Sequence, residues 1–191
     1  MDLTTVEAVK LLAPISGNGE DALLGALVTS VSKRAETMMG RHALSSSRTE
    51  VYTLPKWGKR LILKGSPVAS VTSVIYGSER DFTDDSALTE HDEFTVDLEA
   101  GILHLRIATP YDPGFVQVVY TGGMAADTAA FVAAYPDVAA GVDFEVINLW
   151  KRRQNPAGAS TFAGGALQVT GELGTLKYLE QAVEPYRRRA S

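Results

Sequence analysis

The chain has 191 residues, 45% of them hydrophobic, and a formal net charge of −5 at pH 7. That length fits one domain with an appended arm, and that apolar content supports a core without metal or disulfide staples; the absence of cysteine excludes disulfides, thiolate metal sites and cysteine nucleophiles and fits a reducing compartment. The acidic balance argues against non-specific nucleic-acid binding, which needs a basic surplus to displace counterions, yet it suits a surface past which DNA slides without adhering.

Met1-Asp2-Leu3-Thr4-Thr5 shows no basic segment followed by an apolar run, so no signal peptide is expected. No apolar run reaches the roughly 18–20 residues that span a bilayer. The expectation is a soluble, cytoplasmically made protein with no membrane partner.

Thr4-Thr5-Val6-Glu7 reads as a capping box, with Thr4 as N-cap of a short helix through Leu11 or Leu12. Ser16-Gly17-Asn18-Gly19 is a turn. A longer helix is predicted from Glu20 to Met39, because Leu23, Leu24, Leu27, Val28, Val31, Ala35 and Met38 recur at spacings of three and four. Gly40 is placed to terminate it as the C′ residue.

Near Arg48 the period changes to two. Thr49, Val51 and Thr53 alternate with Glu50, Tyr52 and Leu54, and Leu61-Ile62-Leu63 and Val68 to Tyr76 follow as strands rich in β-branched residues. From Glu79 through Glu99 nine acidic residues stand against Arg80 alone, which reads as a solvated loop. Phe94 to Asp97 and Ile102 to Leu105 form two more strands joined at Gly101, and Phe115 to Tyr120 closes the β region.

Gly122-Gly123 then reads as the joint between the β region and a second helical region, with bulky residues excluded there if the glycines adopt positive φ. Asp127 caps a short helix through Ala134, Pro136 interrupts, and Asp137 recaps a helix from Val138 to Trp150, closed by Lys151-Arg152-Arg153. Val138, Val142, Val146, Leu149 and Trp150 share one face while Phe144 and Ile147 lie elsewhere, an apolar arc wide enough to predict burial on two sides. Five glycines between Gly158 and Gly174 predict a flexible connector. Thr175 to Arg189 is a final helix, ending Pro185-Tyr186-Arg187-Arg188-Arg189, that suits a docking arm.

No arrangement of reactive residues stands out. His42, His91 and His104 lack zinc-helix spacing. Glu90-His91-Asp92-Glu93 sits on adjacent positions that point opposite ways, and Asp81, Asp84 and Asp85 lack EF-hand order. There is no Gly-x-Ser-x-Gly elbow, phosphate loop or dinucleotide fingerprint. The expectation is therefore no catalytic residues, no metal and no cofactor. Lys151-Arg152-Arg153 is explained by the helix dipole, whereas the basic run at 187–189 has the exposure to grip an acidic partner.

The order of parts resembles the head–tail connector (adaptor) proteins of long-tailed double-stranded DNA phages. The resemblance rests on Leu3-Thr4-Thr5-Val6-Glu7, on Ala35-Glu36-Thr37-Met38-Met39-Gly40-Arg41, and on Leu61-Ile62-Leu63-Lys64-Gly65-Ser66-Pro67-Val68 followed by Val71-Thr72-Ser73-Val74. It continues through Val118-Val119-Tyr120-Thr121-Gly122-Gly123 and Leu149-Trp150-Lys151-Arg152-Arg153-Gln154-Asn155 to Pro185-Tyr186-Arg187-Arg188. The long acidic loop and the segment Ala125–Tyr135 depart from the shortest members.

The resemblance implies a non-enzymatic virion neck protein, assembled in the bacterial host cytoplasm into a homo-oligomeric ring of about twelve copies around the DNA channel. Its implied partners are the portal protein, a downstream neck or tail-completion protein, and genomic DNA passing through without sequence-specific binding. The implied fold is α+β, a helical core with an inserted antiparallel β module. Residues 1–153 form the body (helical 1–43, β module 48–120, helical 127–153), 154–174 a linker and 175–191 the docking arm. Subunits are expected to pack through Leu27, Val31, Val142, Val146 and Trp150, and the arm to dock through Tyr178, Tyr186, Arg187, Arg188 and Arg189. The rival readings are another neck or tail protein, such as a stopper or tail terminator, and a small soluble hydrolase whose site assembles only in space.

Overall fold

The computed structural model describes residues 2–13, 15–83, 85–111, 113–154, 159–161, 167–169 and 177–187. Most of the predicted connector, together with Asp84, Arg188 and Arg189, lies outside them. The chain forms an α+β structure of two compact units. Residues 1–40 and 128–191 make a helical unit, and residues 41–127 make a β unit inserted between its halves.

The helical unit begins with α1 (Val6–Leu12). Its N-cap is Thr5 rather than Thr4, and Thr5 Oγ1 accepts a hydrogen bond from Ala8 N at 3.2 Å. The cap shifts by one because Thr4 is drawn inside, 2% exposed, where its hydroxyl meets Asp143. In α2 (Asp21–Met39) the buried set is Leu24, Val28, Val31, Ser32, Ala35 and Met39, one face at helical spacing. Ser32 is accommodated there because its Oγ accepts Leu3 N at 3.0 Å. The helix ends where Gly40 turns left-handed at φ 63° and donates its N–H to the carbonyls of Glu36 and Thr37, an arrangement that favours glycine.

After the β unit come α3 (Thr128–Ala134) and α4 (Pro136–Gln154). Pro136 starts α4 instead of interrupting a helix. At the first position its missing N–H has no intrahelical partner to lose. The helix α5 (Lys177–Val183) follows, with a single 3₁₀ turn at Glu184–Tyr186. The expected free arm is in fact part of the unit's core. Leu179 and Val183 have no exposed surface, and α5 lies against α4 so closely that a Cβ on Gly141 would stand 2.9 Å from the Ala182 Cβ. Two helices meet at that distance only over a small residue.

Among the described residues, the β unit holds six strands in two antiparallel three-stranded sheets. β1 (Ser46–Leu54), β3 (Val68–Gly77) and β6 (Gly114–Gly122) pair in the order β1-β6-β3. β2 (Arg60–Ile62), β4 (Phe94–Asp97) and β5 (Ile102–Leu105) pair in the order β2-β5-β4. The alternation in β6 sends Val116, Val118 and Tyr120 inward, to a core with Leu54, Leu61, Leu63, Val68, Val74, Phe94, Leu103 and Leu105. The unit's entry and exit segments meet. Ser45 N donates to Ala125 O at 2.8 Å, and Ala125 N to Ala43 O at 3.0 Å.

The Gly122-Gly123 joint belongs to this closure, and its constraint is spatial. Gly122 is the last residue of β6, and a Cβ there would lie 2.2 Å from Gly65 O. A Cβ on Gly123 would lie 2.4 Å from both the Leu44 carbonyl carbon and Ser45 N. Within the predicted connector, Ala159–Thr161 (β7) and Leu167–Val169 (β8) pair antiparallel as a two-stranded ribbon.

Candidate interaction surfaces

The residues expected at a subunit interface are mostly spent inside the helical unit. Val142 and Val146 have no exposed surface, Val31 is 2% exposed and Trp150 9%. Leu27 is half-buried. The wide apolar arc of α4 is thus satisfied largely within one subunit, by α1, α2 and α5. Trp150 is further fixed by donating Nε1–H to Glu20, which also pairs with Arg153. The aromatic surface left over is Phe144 and Tyr178, both at least half exposed, with ring centroids 6.0 Å apart.

The residues expected to dock a partner divide. Tyr178 is exposed and free to contact one. Tyr186 is turned back onto its own unit, edge-on to Tyr135 at 5.2 Å, with its hydroxyl donating to Asp137 at 3.2 Å. Arg187 pairs with Glu184 at 3.0 Å. With Arg34, Met38, Glu180 and Val183 these two line an open cavity of about 310 Å³. Arg188 and Arg189 lie outside the described residues.

The helix α4 buries two carboxylates that apolar periodicity does not reveal, one of them, Glu145, near the cavity residues Arg34 and Glu180. Asp143 and Glu145 are 7% and 4% exposed. Burial raises both from their ordinary values. Thr4 opposes this at Asp143, and Arg152 and Arg34 oppose it at Glu145. The sequence signal was present as two acids, Asp143 five residues after Val138 and Glu145 five before Trp150, within the mostly apolar run between those two residues.

In the β unit a second polar group forms from four separated positions. His42 Nε2 and Glu50 Oε1 are 2.9 Å apart, Tyr52 donates its hydroxyl to Glu50 Oε2, and the Tyr120 hydroxyl accepts Gly65 N at 2.9 Å. Register brings them together, since Arg48, Glu50 and Tyr52 share a strand face and Arg48 stands opposite Tyr120. Burial opposes ionisation of Glu50, but hydrogen bonds from His42 and Tyr52 and the His42 charge outweigh it and hold the carboxyl down at about 2. Burial pushes the Tyr120 hydroxyl up to about 12 and raises Tyr52 as well, with the adjacent carboxylate adding to both. A carboxylate this acidic is a poor general base at neutral pH, and its oxygens are already engaged. The arrangement braces the entry segment against β1.

His91 and His104 are exposed and lie apart from this group. The acidic loop serves its own turns. Asp81 Oδ1 accepts Thr83 N at 3.2 Å, and Glu93 Oε2 accepts Thr89 N at 2.7 Å. Among the described residues no group of three His, Asp or Glu side chains is placed to hold a metal ion, and no helix is long and apolar enough to cross a membrane.

A helical bundle interrupted by an inserted antiparallel β unit is therefore the architecture to be matched. No protein-family model matches the sequence, and no curated protein does either. Solved structures share the fold. A chain from the neck of an empty GTA particle, computed with C6 symmetry, superposes with a TM-score of 0.65 at 18% identity, over 97% of this chain and 90% of that one. A chain from the virion of a native gene transfer agent (GTA) particle gives 0.61 at 16% identity, over 94% and 82%. A chain from the neck of a native GTA particle, computed with C12 symmetry, gives 0.58 at 18%, over 90% and 85%. The likeness covers both the helical unit and the β insert.

Proposed function

We propose that this chain is a structural component of a phage-like virion neck, a head–tail adaptor that assembles as a ring below the portal, joins capsid to tail and lines the channel through which DNA passes. The observation that carries the reading is a fold shared over 97% of the chain with a protein of a GTA neck. The order of sequence motifs points the same way. Closed rings are built from heterologous contacts, and a neck computed with C12 symmetry favours about twelve copies.

The chemistry is consistent with a non-enzymatic role, because the Glu50 carboxylate is held strongly acidic and both its oxygens are already engaged by His42 and Tyr52. A β-dominated stopper or tail terminator fits less well than a chain whose two longest helices span 19 residues each. In the ring, lateral contact falls to the exposed aromatic pair Phe144 and Tyr178. The portal lies on one side and the next neck or tail-completion protein on the other.

Native mass spectrometry and electron microscopy of the purified protein, alone and mixed with its portal, test the reading. A closed ring bound to the portal is expected. A protein that stays monomeric and shows no affinity for the portal would overturn it.

A further inference from the structure

The β unit leaves one long strand edge open. β1 has nine residues in continuous register with β6, without a bulge, and among the described residues its other side pairs with no strand. None of its residues before Leu54 is buried, and no backbone hydrogen bond described outside the ladder involves 46–54. The opposite edge of the same sheet is protected. β3 is interrupted by two register shifts, and Leu88 N donates to Val74 O at 2.7 Å, laying a loop along it. The edges of the other sheet are short, three residues in β2 and four in β4. The only charges on β1, Arg48 and Glu50, lie on its half-buried face, so its exposed face carries none of the usual blunting devices. It has no proline, no lysine and no bulge, and its exposed positions are Ser47, Thr49, Val51 and Thr53.

The ribbon of β7 and β8 has the converse shortage. Each strand has three residues, the pair is aligned from Ala159↔Val169 to Thr161↔Leu167, and among the described residues neither strand joins a third strand. A two-stranded ribbon is marginal in water unless a further strand or face completes it. Its strands, Ala-Ser-Thr and Leu-Gln-Val, carry no charge, as the exposed positions of β1 carry none.

We infer that the β7–β8 ribbon of one copy adds to the β1 edge of the next copy, so that adjacent subunits are joined by a continued antiparallel or parallel sheet. A ring contact is heterologous, and these are two different patches of one chain, each lacking what the other offers. Head-to-tail repetition leaves no ribbon and no β1 edge unfilled, whereas a foreign strand on β1 would leave every ribbon unpaired. The inference rests on the ring reading above and specifies one contact within it.

The absence of native cysteine makes the test direct. Opposed residues in paired strands lie about 5 Å apart at Cβ, within reach of a short bismaleimide. Thr49→Cys and Ser160→Cys are made as separate chains, mixed, assembled and cross-linked. Val51→Cys with Gln168→Cys covers a second register. Wild-type assembly is measured first, by native mass spectrometry.

A covalent dimer at least tenfold above that of either variant alone is expected in the mixed ring. The double variant T49C/S160C should give a ladder of higher multimers. Rings that form normally but cross-link at none of the pairings, or a double variant that cross-links only within one chain, would overturn the inference. If the wild type forms no ring, the ring reading falls and this contact with it. If only the variants fail to assemble, amide exchange on the wild type decides. Protection of residues 47–53 should rise at least tenfold from dissociated chain to ring, and unchanged exchange there would overturn the contact.

Discussion

Glu50 is held ionised by its neighbours, and this links the β unit's stability to acid. The folded carboxyl titrates at about 2 against an ordinary value of 4.5. A depressed acid contributes stability that is complete above the unfolded value and is lost as pH falls from about 4.5 towards 2. With a side chain 16% exposed, the contribution is on the order of 2–3 kcal/mol. Asp143 and Glu145 act oppositely. Their raised values mean that the unfolded chain ionises first as pH rises, so they cost stability above the unfolded range. The test is therefore a difference. Urea midpoints of the parent and Glu50→Gln, followed by β-sheet circular dichroism, should be well separated at pH 7 and converge between pH 4.5 and 2. Parallel curves would show that the cluster does not carry the linkage.

Among the elements, the sequence reveals what is local. The stripe in α2, the Gly40 stop and the alternation in β6 each follow from spacing within a few residues; the last two are realised, and the stripe is realised with Met39 buried in place of Met38 and with Leu23 and Leu27 half-buried at its margin. What depends on distant partners is not legible. His42, Glu50, Tyr52 and Tyr120 meet only once β1 and β6 pair in register. The tail is the sharper case, because a glycine-rich stretch reads as a tether, whereas α5 lies on α4. The signal for that docking was Gly141 in α4 facing Ala182, two small residues 41 positions apart with nothing local to link them. Leu179→Ala should accordingly cost about 2–5 kcal/mol by removing a fully buried side chain from the helical unit. Tyr178→Ala, at a site 62% exposed, should change stability by less than about 0.5 kcal/mol. Equilibrium denaturation of the two variants separates an integral helix from a loose arm, for which both substitutions would be near neutral.

At the scale of the whole molecule, the β unit has the properties of an insertion that folds by itself. The chain leaves the helical unit after Gly40 and returns at Thr128. The insert's ends are tied to each other, through Ala43, Leu44 and Ser45 against Ala125 and through His42 O accepting Met124 N at 3.1 Å. Its apolar core is formed by its own residues, Leu54 to Tyr120. The close backbone approach at Gly122 and Gly123 is made to Gly65, Pro67, Leu44 and Ser45, all inside the insert. Nothing in that list requires the helices. The excised segment 41–127 should therefore fold alone, with a β-rich spectrum, dispersed amide resonances and a single cooperative urea transition. Gly122→Val in the same segment should abolish that transition or shift it by about 3 kcal/mol, because the added Cβ meets backbone rather than a side chain that can rotate away. An excised segment that is disordered while the full chain is folded would mean that the helical unit supplies part of the insert's stability. The two units would then have to be treated as one cooperative body.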